Sequence, residues 1–245
     1  IISQGVSCLW VLKFLTGKKT VLKIRLKNLV LDGKIVTSVL SLVVSPCIMQ
    51  ATECLIQLTF NNGMLKYGND LYVALMSILF SLTQLIWMPL NGFSQGAQPV
   101  IGYNYGAKRF DRIRQGIRAS LLIAAIWSVA VFIICHTVEG ALIRFVASTT
   151  DAEVIYWGSM YLKVDMSFII VCGVIVILRN SMQGFGDRVI PVFSSCIELA
   201  GKIIFAFVFA PVFAYWGIIW AEPVVWIAMV IPLIVKVVHT LKKEI

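Results

Sequence analysis

Six apolar stretches, each long enough to cross a bilayer, follow one another along this chain and dictate what it can become. They run at 36–60, 71–95, 118–138, 156–178, 189–212 and 215–238, and a spanning helix needs about 20 apolar residues. Inside lipid every backbone N–H and C=O must find its partner within the structure, so such segments close their hydrogen bonds as α-helices. The expectation is an all-α membrane protein. Composition agrees, with 59% hydrophobic and 13% charged residues, against about half and about a quarter in soluble domains. Residues 1–16 read as the end of a truncated span, and the chain, which opens on Ile1, as a fragment of a longer protein.

The net charge of +9 points to a bilayer and not to nucleic acid, because the basic residues gather in alternate connections and not on one amphipathic face. Residues 17–35 carry Lys18, Lys19, Lys23, Arg25, Lys27 and Lys34 among Val21, Leu22 and Ile24. That pattern suits an interfacial helix on the inner leaflet or a plain solvated connector. Lys108, Arg109, Arg112, Arg114 and Arg118 follow the second complete span, Arg179 and Arg188 the fourth, and Lys236, Lys242 and Lys243 the last. Sixteen cations thus fall on one side and only Lys66 and Arg144 on the other. The positive-inside rule then puts the linker and the tail 239–245 in the cytoplasm, with 36–238 as a six-helix bundle. The expected location is the plasma membrane, crossed several times.

Residues 91–114, N-G-F-S-Q-G-A-Q-P-V-I-G-Y-N-Y-G-A-K-R-F-D-R-I-R, join the second complete span to the third. Gly92, Gly96, Pro99, Gly102 and Gly106 interrupt a membrane-length helix with positions that permit bending and close backbone approach. With Gln98 and Asn104 they form a candidate gating motif.

Charges within spans are costly and mark candidate sites. Glu53 lies in the first complete span, with Gln50 at i−3 and Gln57 at i+4, so the three share a helical face. It is read either as a carboxylate that binds a coupling ion from a wet cavity or as a hydrogen-bonded residue that joins helices. Glu198 and Lys202 form an i,i+4 pair in the favourable order and read as structural. Lys163 and Asp165, two apart, point to different faces; Lys163 snorkels outward, and Asp165 is a second ion-coupling candidate. Glu222, before Pro223, is open to a cation or to helix packing. The tryptophans and tyrosines suit interface belts.

Cys8, Cys47, Cys54, Cys135, Cys172 and Cys196 all fall in apolar segments without C-x-x-C spacing, and are expected as small buried hydrophobes with no metal site. His136 and His239 stand alone. No catalytic residues emerge, since no nucleophile–base cluster and no phosphate loop is present, and no cofactor beyond a coupling ion is expected.

The motif G-x-S-Q-G-x-Q-P at 92–99, then Y-N-Y-G-A-K and D-R-x-R, closely resembles the eighth span and following loop of the multidrug and toxic compound extrusion (MATE) transporters. S-P-C-I-M-Q at 45–50 resembles the start of that family's seventh span, and L-K-Y-G-N-D at 65–70 the next external loop. R-N-S-M-Q-G-F-G-D at 179–187 with P-V-F-S-S-C-I-E-L at 191–199 resembles the connection between its tenth and eleventh spans. The resemblance implies a twelve-helix antiporter of two six-helix lobes, of which this chain is the C-terminal lobe with the end of the preceding helix. It implies export of small organic cations in exchange for H⁺ or Na⁺ by alternating access, with the missing N-terminal lobe and the lipid bilayer as partners and no nucleic acid. Some branches use a carboxylate on the seventh span and an Asp on the tenth, roles that Glu53 and Asp165 would fill; the offset of Glu53 from Pro46 departs from that pattern. The alternatives are a lipid-linked saccharide flippase of the same superfamily, which would want a cavity rich in Arg and Lys, and a non-transporting half-transporter. A membrane enzyme comes last.

Overall fold

The computed structural model describes residues 2–17, 32–67, 70–147, 151–213 and 215–243. The helices are α1 (Ile2–Thr16), α2 (Gly33–Tyr67), α3 (Asp70–Gly106), α4 (Phe110–Thr137), α5 (Glu139–Ala147), α6 (Ala152–Ser167), α7 (Ile169–Gly184), α8 (Val189–Ile204), α9 (Ala210–Phe213), α10 (Tyr215–Ile219) and α11 (Ala221–Lys243). A π-helical turn, Phe205–Phe209, joins α8 to α9, and no strand occurs among the described residues. The expected basic linker lies largely outside those residues. Two compact units are present, Ile1–Val43 and Val44–Ile245. In the first, α1 exposes Ile2, Leu9 and Trp10, as an apolar helix bathed in lipid does.

Aspartates start three helices by accepting from backbone N–H groups that have no intrahelical partner. Asp32 Oδ1 accepts from Lys34 N at 2.8 Å, Asp151 Oδ1 from Glu153 N at 2.9 Å, and Asp187 Oδ1 from Val189 N at 3.0 Å. Asp187 follows Gly186, whose φ of +80° makes the tight α7–α8 turn, a conformation that favours glycine. Lys236 on α11 also reaches Asp187, at 3.4 Å.

Four helical stretches among the described residues are long and apolar enough to cross a membrane: Gly33–Leu58, Phe110–Thr137, Val189–Phe209 and Ala221–Lys242. A fifth appears if α6 and α7, bent by 52°, count as one span. The expected span at 71–95 falls within α3, where the side chains of 71–76 lie outside the described residues. The bend at Phe168 has no proline or glycine. Ser167 Oγ instead donates back to Lys163 O at 2.6 Å, and such bonds compete with the helix ladder and bend it.

In the second unit α7 is the hub, packed against α3, α4, α8 and α11. Lipid supplies no hydrophobic drive for helix association, so close backbone approach and interhelical hydrogen bonds carry it. A Cβ on Gly102 of α3 would lie 3.0 Å from Gly184 O of α7, and one on Gly184 would lie 3.0 Å from Gln98 O. Ser94 Oγ donates across to Val176 O at 3.1 Å, and Trp127 Nε1 of α4 donates to Ile86 O of α3 at 3.2 Å. One apolar core, with Ile113, Met182 and Trp226, joins α3, α4, α7 and α11. Another, with Ile56, Leu79, Ile143 and Leu162, joins α2, α3, α5 and α6.

Four sequence-based expectations are corrected here. The glycine- and proline-rich stretch does not interrupt its helix, because α3 runs through Pro89 and Pro99 to Gly106; a membrane helix tolerates the freed carbonyls when neighbours satisfy them. Of the motif glycines only Gly102 serves close approach, while a Cβ on Gly92, Gly96 or Gly106 would meet nothing within 4 Å. Of the cysteines only Cys135 and Cys172 are buried, and Cys8, Cys47, Cys54 and Cys196 are exposed, since apolar sequence marks lipid-facing and interior positions alike. Trp226 is a core residue and not part of a belt, buried with its ring 5.7 Å from that of Trp87.

The glycine contrast makes a measurable difference. Gly102→Ala should destabilise by about 1–3 kcal/mol through overpacking, whereas Gly96→Ala should be neutral or stabilising by up to about 1 kcal/mol. Thermal unfolding of the two variants in one detergent checks this, and equal midpoints would refute the backbone contact.

Candidate functional site

Gln50, Glu53 and Gln57 share one face of α2, as their spacing requires, and all three line a cavity of about 540 Å³. Gln84, Trp87, Asn91 and Gln95 of α3 and Arg179, Asn180 and Gln183 of α7 form the other walls. Drug-sized ligands occupy cavities of roughly 300–1,000 Å³. Amides that both donate and accept, with one aromatic ring and a single carboxylate among the described lining residues, suit a flat or bulky cation, which an indole face also attracts. Gln183 Nε2 lies 3.3 Å from Met49 Sδ and ties α7 to α2 at the cavity edge.

Arg179 ends an apolar segment and so reads from sequence as a loop cation. The structure turns it inward. Its Nη2 donates to Ser194 Oγ at 3.1 Å and lies 3.4 Å from Glu198 Oε2. Lys202 Nζ reaches Glu198 Oε1 at 3.1 Å and Glu222 Oε1 at 2.9 Å. The expected Glu198–Lys202 pair therefore exists as the middle of a four-member chain on α7, α8 and α11. Glu198 and Lys202 are only 3% and 5% exposed at the side chain, so the ions are held out of water and stand only because each faces an opposite charge. The π-helical turn begins three residues past Lys202; such turns are rare and recur at functional sites.

Two further carboxylates lie within electrostatic range of this chain. Glu53 interacts with all four members, and Asp165 with Glu222 and Lys202. Asp165 sits in the last turn of α6, fully buried, and neither of its carboxylate oxygens has a hydrogen-bond partner among the described residues. It does not line the cavity that holds Glu53. The cluster thus sets four carboxylates, Glu53, Asp165, Glu198 and Glu222, against two cations, Arg179 and Lys202. Buried charge without a partner is strongly disfavoured, so the surplus of negative charge calls for protons or small cations.

Lys163 points outward as expected, 41% exposed, and its Nζ lies 2.7 Å from Glu139 Oε1. That hydrogen bond to an ammonium holds the Glu139 carboxyl below its ordinary range, so the pair stands at neutral pH and is lost only as pH falls through the lowered value. No member of the gating motif is among the described residues that line the cavity, although its neighbours Asn91 and Gln95 are; Gln98 and Gly102 lie at the α3–α7 contact, and Asn104 closes the end of α3. Asn104 Nδ2 donates to Val100 O at 2.8 Å, and the backbone carbonyl of Asn104 accepts from Arg109 N at 2.9 Å.

Sequence reasoning misses Arg179 as a network member and leaves Glu222 undecided. A mid-span carboxylate with no local cation is the available signal for Glu222, since such a group needs a partner from another helix.

Known proteins share both sequence and fold with the chain. The multidrug export protein MepA of Staphylococcus aureus (strain MSSA476) is 26% identical over 168 residues, which cover 67% of this chain and 36% of that protein. The MepA of Staphylococcus haemolyticus (strain JCSC1435) is 21% identical over 222 residues, 90% of this chain and 48% of that one. The chain thus spans less than half the length of either relative. Among solved structures, the outward-facing conformation of a multidrug resistance MATE family transporter of the MOP superfamily superposes with a TM-score of 0.89 at 15% identity, over 99% of this chain and 55% of that one. A MATE structure in the bent conformation gives 0.83 at 18% identity, with the same coverage. The MatE family model matches residues 46–215, more than two thirds of the sequence, and this multi-pass membrane chain belongs to the MatE, or multidrug and toxic compound extrusion, family.

Proposed function

We propose that this chain is the C-terminal six-helix lobe of a twelve-helix antiporter that exports organic cations in exchange for H⁺ or Na⁺. The observation that carries the reading is the charge imbalance at the cavity. Arg179, Glu198, Lys202 and Glu222 neutralise one another, which leaves Glu53 as the uncompensated charge open to the cavity and Asp165 as a second one sealed from it. A monovalent ion or a proton at Glu53 competes with a cationic substrate for the same negative charge, which is the competition that exchange requires. A ligand moves a conformational equilibrium only through different affinity for its states, so occupancy of Glu53 must differ between inward-open and outward-open forms. The family names of the MepA relatives, both multidrug export proteins, support export of drug-like compounds. A flippase is less well supported, because the single cation among the described residues that line the cavity, Arg179, is already engaged by Glu198 and has little left to grip a pyrophosphate.

In this reading the missing N-terminal lobe completes the cavity, the protein sits in a bacterial plasma membrane, and its C-terminus is cytoplasmic. The test is transport by the full-length protein in proteoliposomes. Ethidium efflux driven by an imposed pH gradient or an imposed Na⁺ gradient is expected and would name the ion. Efflux of ethidium and of other organic cations that follows neither gradient would overturn antiport.

A further inference from the structure

We propose that a basic pocket between the start of α4 and the end of α11 binds the phosphate headgroup of an anionic phospholipid. The pocket, about 220 Å³, is lined by Arg114, Ile117, Arg118, Val238, Leu241 and Lys242. It shares no residue with the cavity that holds Glu53 and does not depend on the antiport reading. Its volume falls below the roughly 300 Å³ at which drug-sized sites begin, which favours a small anionic group over a transported compound.

Three features point to lipid. Arg114, Arg118 and Lys242 are in no ion pair among the described residues, and unlike Lys108 and Arg109 at the same end they converge on one pocket. The geometry is also prepared: Arg114 Nη2 donates to Leu241 O at 3.0 Å, which fixes one guanidinium between the two helices and closes the end of α11. Finally the walls are mixed. Ile117 is buried and Val238 is 44% exposed, so cations at the rim stand over apolar side chains that continue down the span. A free phosphate has no use for those side chains, but a lipid has, with its headgroup at the rim and its acyl chains along α4 and α11. Basic pockets between helices at the cytoplasmic surface take anionic headgroups for this reason, and guanidinium groups match phosphate oxygens in pairs. The cation-rich end of the bundle is the one the positive-inside rule places at the anionic inner leaflet.

The experiment is native mass spectrometry of the intact protein in detergent, titrated separately with phosphatidylglycerol, with phosphatidylcholine and with inorganic phosphate. Phosphatidylglycerol is expected to bind selectively, and Arg118→Ala combined with Lys242→Ala should weaken it by about twenty-five-fold, at about fivefold for each cation near the membrane surface. Arg114 is left intact because it holds the helix end. The control, Lys108→Ala with Arg109→Ala, removes the same charge from the same end outside the pocket and should change binding by less than about threefold. Equal binding of phosphatidylcholine, or an equal loss in the control, would overturn the proposal in favour of diffuse surface charge. Displacement of the lipid by millimolar inorganic phosphate would overturn it in favour of a soluble-anion site.

Discussion

Lys202→Met is expected to lower the thermal unfolding midpoint by on the order of 10 °C. Removal of one partner from a buried ion network costs about 3–5 kcal/mol, and each kcal/mol moves the midpoint of a chain this size by about 2–4 °C. Methionine keeps the length and the apolar stem, so the loss is one of charge and not of packing. The damage falls unequally. Glu198 retains Arg179, but Glu222 loses its one ion-pair partner among the described residues, and its Oε2 already lacks a hydrogen-bond partner. Adding Glu222→Gln to Lys202→Met should therefore recover at least half of the lost stability, since the orphaned charge disappears with its partner. Differential scanning fluorimetry in detergent reads both variants. A Lys202→Met midpoint equal to wild type, or a double variant no better than the single one, would mean that the network does not stand as described.

Glu53→Gln should act in the opposite way, with little effect on folding and loss of coupled transport. The glutamine preserves shape and hydrogen-bonding capacity, and the four-member chain is neutral without Glu53, so the midpoint should move by less than about 1 kcal/mol equivalent. Transport should differ completely. Without that charge neither the coupling ion nor a cationic substrate gains differential affinity at the cavity, and gradient-driven efflux by the full-length protein in proteoliposomes should fall to that of empty liposomes. Glu53→Asp, which keeps the charge on a shorter arm, should retain part of the activity. Full efflux by Glu53→Gln would remove this residue from the coupling role, and attention would pass to Asp165.

The parts of this architecture that depend on neighbours close in sequence are legible in the residues themselves. Apolar length dictates helices, the spacing of Gln50, Glu53 and Gln57 dictates a common face, and the i,i+4 order of Glu198 and Lys202 dictates their pair. What depends on contacts between distant segments is not legible in this way. Arg179 looks like an orientation signal because it ends a segment, and only the packing of α7 on α8 carries it to Glu198. Glu222 lies twenty positions beyond Lys202, a distance about which helical periodicity says nothing. The bend at Phe168 has no proline to announce it. The glycines of 92–106 look alike in sequence, yet Gly102 alone among them meets another backbone, because which face of α3 turns to α7 is a tertiary fact.

The ion chain across α7, α8 and α11 also has a mechanical meaning. It works as a shear key: a slide of α8 by one helical turn against either neighbour would part Glu198 from Arg179, or Lys202 from Glu222, at the cost of a separated buried pair. Those three helices are therefore constrained to move as one block. Displacement is left to the members outside the key, α6 beyond its 52° joint with α7 and the stretch of α2 around Glu53, where Thr52 and Ile56 are buried and Gln50, Cys54, Leu55 and Gln57 are exposed. A disulfide engineered between α8 and α11 should then leave the working motion free, while one that fastens α2 to α7 beside Met49 and Gln183 should arrest it.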